Sequence, residues 1–167
     1  AVEQYVTEEG MPIWLHAQHD LPMVRIAVAF DAGLARDGDQ YGLAHLTAAL
    51  IGEQTEQHDT DELAAKLAGL GSTFYAVPRR DKVIFYMTTL SDPDTFAGSM
   101  AYMTEVLTQA KWSIETVERI KLRAQASLAQ QLQLPDYIAS VALTEALYPE
   151  HPYGHPSRGT PESMTKI

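Results

Sequence analysis

The side chains able to do chemistry in this sequence are few and widely spaced. Six histidines and 22 Asp plus Glu residues are present with no cysteine, so a thiolate metal site, a Cys nucleophile and a disulfide framework are all excluded. No G-x-S-x-G element and no phosphate-cradling glycine loop occurs, which sets aside serine-hydrolase and nucleotide-binding chemistry. His16 and His19 could approach one metal ion together, but they fall at a strand end and in a loop and read as surface residues. Asp59 and Asp61 form an acidic pair that helix capping explains. Arg79 and Arg80 read as solvated charges at a hairpin tip. His45 lies in an Ala-rich apolar stretch, where a lone histidine reads as a packed or hydrogen-bonded side chain.

Positioning these residues requires a folded scaffold, and the composition supports one. The 167 residues are 46% hydrophobic and 20% charged, enough for one domain with a real core. Twelve Lys plus Arg against 22 acidic residues leave a formal net charge of -10, which argues against nucleic-acid partners and anionic membrane surfaces. No apolar run is long enough to span a bilayer. The lack of Cys suits cytoplasm and periplasm alike, and a periplasmic or otherwise exported protein whose leader has been removed is one expectation.

Strand-like segments are expected at 2–7, 11–16, 23–31, 72–78 and 82–90, forming one mainly antiparallel sheet with the strand over 23–31 at its centre. Glu8-Glu9-Gly10 and Pro78-Arg79-Arg80-Asp81 supply two hairpin turns. Helices are predicted over Tyr41 to Ile51, from the Asp59/Glu62 capping box to Leu70, and over Thr95 to Ala110 with Phe96, Met100, Met103 and Leu107 on one face. Further helices run from Ser113 toward Pro135, with Val117, Ile120, Leu122, Ala124, Leu128 and Leu132 in period, and from Tyr137 to Leu147. Met100 and Met103 read as core. This order gives an α+β domain, one sheet covered by helices, spanning 1–167 and expected to be cut short at its C-terminal end, leaving apolar surface uncovered.

The segment Asp31 to Thr55, DAGLARDGDQYGLAHLTAALIGEQT, resembles the centre of the pitrilysin, insulysin and mitochondrial-processing-peptidase family. Ala32, Gly33, Gly42, Leu43, Ala44, His45 and Thr55 stand where that family has an aGs-r-E element, G-L-A-H-x-x-E-H and a downstream G-T. The resemblance continues through Glu62-Leu63, Gly71, Tyr75-Ala76-Val77, Glu118-Arg119, His151-Pro152-Tyr153-Gly154 and Gly159-Thr160, almost the whole sequence. Within it, His151 and His155 belong to a packing loop.

In that family two His one helical turn apart and a Glu from a later helix hold zinc, and the Glu beside the second His is the general base. The resemblance keeps His45 but places Ala48 at the base position, Ala49 at the second histidine and Gln125 at the late ligand. Gln125, together with Gln54-Thr55 in place of G-T, argues for natural divergence over two engineered alanines. No metal and no other cofactor is expected. The resemblance implies a non-catalytic peptidase-like domain that helps form a peptide-enclosing chamber. Its expected partner is a catalytic sister subunit or second domain with an intact H-x-x-E-H, and the complex would act on peptide substrates. The alternative is a structural assembly subunit, like the core proteins of the respiratory bc complex.

Overall fold

Burial alternates with a period of two along Val83–Leu90: Val83, Phe85, Met87 and Thr89 are buried, while Ile84, Tyr86 and Thr88 between them are half-exposed and Leu90 is exposed. That pattern belongs to a strand with one face on the core and paired neighbours on both sides. The computed structural model describes residues 1–167. In it β1 (Val2–Val6) and β2 (Pro12–His16) form a hairpin, followed by β3 (Met23–Phe30), a 3-10 turn at Leu34–Arg36, α1 (Leu43–Leu50) and α2 (Thr60–Gly69). Then come β4 (Thr73–Pro78), β5 (Val83–Leu90), α3 (Pro93–Thr108), α4 (Ile114–Gln131), α5 (Pro135–Leu147), a 3-10 turn at Pro152–Gly154 and α6 (Pro161–Lys166).

The α+β class and the antiparallel pairing hold, but the five strands make two sheets. β1 pairs only with β2, and the second sheet has the order β3-β5-β4. The expected centre, β3, is therefore an edge, and β5 is the central strand. The reason is positional: β5 meets β4 through a tight hairpin and β3 along its full length, Met23 opposite Leu90 through Phe30 opposite Val83. Apolar content in β3 signalled a strand without saying how many neighbours it has. Every residue of the β1–β2 hairpin strands is exposed, Trp14 included.

One face of the three-stranded sheet packs on α3, α2 and α1 through Phe85, Met87, Tyr102, Met103, Val106, Leu63 and Ala48. α3 is turned relative to the expected face: Ser99, Tyr102, Met103 and Val106 are buried, while Met100 is half-exposed. On α4 the buried apolar residues are Ile120 and Leu128, and Leu122 and Leu132 point outward. α5 begins at Pro135, a first-turn position that suits proline because that N–H has no helical partner. The expected capping box of α2 is present, with Asp59 accepting from the Glu62 N–H and Glu62 accepting from the Asp59 N–H, both at 2.9 Å.

Two buried polar clusters join these layers. Ser72, Thr89 and Ser99 hydroxyls form a closed triangle at 2.8–3.0 Å between the start of β4, the end of β5 and α3. On α3, the buried Glu105 accepts from Thr55 Oγ1 at 2.8 Å, His58 Nδ1 at 2.6 Å and Lys66 Nζ at 2.7 Å. Burial alone pushes this carboxyl up; the bonds from Lys66, His58 and Thr55 and the Lys66 charge outweigh it and bring its pKa to about 2. The carboxylate thus clamps α2 and the Thr55–His58 loop onto α3.

A depressed folded-state pKa means stability that is present above the unfolded value near 4.5 and is lost as pH falls toward about 2. Glu105→Gln is expected to lower stability at pH 7 by about 2–3 kcal/mol and to flatten the loss below pH 4.5. Chemical denaturation at a series of pH values measures both, and an unchanged acid limb would refute the clamp.

Candidate functional site

α1 carries the positions the sequence singled out, and its placement begins with glycine. Gly42, at φ 98°, precedes the helix, and Gly159, at φ 80°, lies against it so closely that a Cβ there would overlap the Tyr41 carbonyl oxygen. Ser163 donates to that same oxygen at 2.6 Å. Gly42 has no side chain to cap α1. Asp37 serves instead, accepting from the Gly42 and Ala44 N–H groups at 2.9 Å. Burial raises the Asp37 carboxyl, and those backbone bonds pull the other way. Gly33, at φ 146°, lets the preceding loop cross the β4–β5 hairpin, where Leu34 and Ala35 N–H groups donate to the Arg79 and Arg80 carbonyls.

Along α1 the three motif positions face different surroundings. Ala48 is buried in the core, Ala49 is exposed, and His45 is half-buried between two cavities. The larger, about 260 Å³, runs from His45 and Ala49 along Phe74, Tyr75, Ala76 and Pro78, beside the edge of β4 that has no partner strand. The other, about 220 Å³, lies between α1 and α4 and is lined by His45, Ala49, Glu53, Ile120, Arg123, Ala124, Ser127 and Arg158. Gln125 is not among these residues. The face α4 presents here is 120, 123, 124 and 127, the helical i, i+3, i+4, i+7 stripe, and it carries no carboxylate.

Arg158 is the residue sequence reasoning missed. Its Nη1 lies 3.4 Å from His45 Nε2. Burial lowers the His45 pKa, and the Arg158 charge lowers it further. The imidazole is thereby held neutral near pH 7, with a lone pair at Nε2 that can accept from the guanidinium. Glu53, also absent from the sequence-based set, is paired with Arg119 at 2.9 Å. No motif flags Arg158: it lies 113 residues from His45 in sequence and meets it only through the Gly42–Gly159 contact.

The donor set does not fit a zinc ion. Ala48 and Ala49 offer no donor atom, and nowhere do three His, Asp or Glu side chains converge. A dication bound at His45 would also face the Arg158 guanidinium, a repulsion of roughly 8 kcal/mol at ~4 Å and an effective dielectric of about 20. One imidazole does not offset that.

The other sequence-picked residues are dispersed. His16 ends an exposed strand and His19 follows in the loop. His151 accepts from the Tyr153 N–H, and His155 packs on Tyr41 with ring centres 4.2 Å apart, as a packing loop requires. Arg80 is not a free turn charge: it donates to the Tyr153 carbonyl and lies over the Tyr153 ring at 5.4 Å, pinning the hairpin to this loop. Gln54 has a structural use, its Oε1 accepting from the Ser113 N–H and the Thr116 hydroxyl at the start of α4.

Comparison with known proteins gives a consistent picture. A sequence profile of the insulinase family (peptidase family M16) matches residues 13–161. The Helicobacter pylori protein named non-peptidase homolog YmxG is 27% identical over 98% of this chain and 38% of its own length. A crystal structure of a peptidase M16 inactive domain from Pseudomonas fluorescens is 30% identical with a TM-score of 0.93, covering all of this chain and 40% of that one. Pitrilysin, at 19% identity and a TM-score of 0.79, shares the fold over 98% of this chain and 18% of its own. The protein thus spans about two fifths of the length of YmxG and the Pseudomonas protein. No helix is long and apolar enough to cross a membrane.

Gly159→Ala should cost at least about 2 kcal/mol, since it adds overlap with Tyr41 to an unfavourable φ. Gly10→Ala, at φ 84° in open space, should cost only about 1 kcal/mol. Urea unfolding of the two variants side by side checks this, and equal costs would remove the backbone contact as the anchor of α1.

Proposed function

This chain belongs to the insulinase family, peptidase family M16, and from that premise we propose that it is a non-catalytic peptidase-like domain that helps enclose peptide beside a catalytic partner domain or subunit. The observation that carries this reading is the family match over residues 13–161 together with His45, Ala49 and the Arg158 guanidinium around the position that the resemblance gives to the metal. With no residue at 48 able to take a proton from an attacking water, general-base help is absent independently of the metal. The unpaired edge of β4, with a cavity beside it, supports a peptide-holding role: an extended peptide can add to such an edge through main-chain hydrogen bonds. The match to a non-peptidase homolog and to an inactive domain points the same way.

Full-length protein purified without chelator is expected to contain zinc well below one equivalent and to leave unstructured peptides uncut. Metal analysis with a fluorogenic peptide assay measures both; stoichiometric zinc with chelator-sensitive cleavage would overturn the proposal. Restoring donors by Ala48→Glu, Ala49→His and Ala124→Glu should leave zinc binding weak while Arg158 remains, and adding Arg158→Leu should strengthen it by at least about tenfold. Competition with a zinc indicator reads that difference, and equal affinity with and without Arg158→Leu would show that the guanidinium does not block the site.

A further inference from the structure

The cavity between α1 and α4 has an unusual charge state for this molecule. Acidic residues outnumber Lys and Arg by 22 to 12, yet Arg123 and Arg158, both lining the cavity, make no salt bridge. Its one carboxylate, Glu53, is already paired with Arg119. Two guanidinium charges are left without a counterion. Arg158 is half-buried, and its long contact with the His45 ring uses only one of its five N–H donors. Donors removed from bulk water in this way call for an acceptor.

We propose that this cavity is a carboxylate-binding subsite in which Arg158 and Arg123 hold the anion. The guanidinium fork matches a planar carboxylate in two parallel hydrogen bonds. Ile120 and Ala124 supply an apolar wall for the methylene stem that carries it, and about 220 Å³ admits a side chain of that size. The Glu53 carboxylate in the same cavity disfavours a doubly charged phosphate relative to a single carboxylate. The ligand class is therefore a monocarboxylate on an apolar stem, from an acidic side chain or from a peptide C-terminus. Its supply by a bound peptide rests on the function proposed above; the anion chemistry does not.

Titration calorimetry on the full-length protein tests the subsite with four probes. N-acetyl-glutamate N-methylamide presents the side-chain carboxylate, N-acetyl-leucine the terminal one, N-acetyl-glutamine N-methylamide is the neutral isostere, and inorganic phosphate is the competing anion. At least one carboxylate should bind about tenfold or more tightly than the isostere and than phosphate. Which of the two carboxylates binds identifies the source. Arg158→Ala should abolish the preference, and Arg158→Lys should restore only part of it because a lysine lacks the fork. Arg123→Gln, at an exposed position where folding is not at stake, should weaken binding by about threefold or more with an unchanged melting temperature. Equal binding of the glutamine isostere, tighter binding of phosphate, or full affinity in both arginine variants would overturn the proposal. Peptide cleavage by the wild-type protein would sink the non-catalytic reading and leave the subsite intact, so the two failures are distinguishable.

Discussion

The backbone of Tyr41 and Gly42 touches the backbone of Arg158 and Gly159 with no side chain between them, and most of what is particular to this molecule depends on that contact. Two glycines with positive φ allow it, and the Ser163 hydroxyl on the Tyr41 carbonyl locks it. The contact fixes the start of α1 against a segment more than a hundred residues away. It also seats α6, whose Met164 is almost wholly buried. Arg158, whose neighbour is pinned by that contact, reaches the His45 ring.

What results is a site whose positive charge is covalently attached. In an insulinase-type peptidase the first histidine is a zinc ligand; in this protein a guanidinium lies 3.4 Å from the Nε2 of His45. A guanidinium is permanently charged, cannot accept a lone pair from water as a Lewis acid does, and cannot lower the pKa of water by coordination. Its chemistry is recognition of anions. On the function proposed above, the family fold is kept while the cavity beside His45 presents guanidinium donors in place of metal ligands.

The rest of the fold holds that cavity steady by two unlike means. Apolar burial of Phe85, Met87, Tyr102, Met103 and Val106 joins the sheet to α3 without directional preference. Directional clusters then set the register between layers: the Ser72, Thr89 and Ser99 hydroxyl triangle at one end and the Glu105 clamp at the other. A buried carboxylate with three donors is costly to leave unpaired, so α2, α3 and the loop between α1 and α2 move together or not at all.

Sequence alone determined the features whose causes are local. Helix positions followed from period and caps, as at Asp59 with Glu62 and at Ser113. Hairpin turns followed from Gly10 and Pro78, and the motif positions 45, 48 and 49 followed from one contiguous segment. The loss of donors at 48 and 49 needed no coordinates, because alanine has none in any fold. Tertiary structure decided the rest. Which strand is central depends on pairing partners that apolar content does not encode, so β3 looked interior and lies at an edge. Which face of α4 meets α1 depends on helix rotation, a matter of about 100° per residue, and so Ala124 lines the cavity beside His45 while Gln125, the position the resemblance gives to the late ligand, does not. Arg158 could not be read from its neighbours at all: its role comes from a contact across 113 residues that exists only because two glycines let two backbones touch.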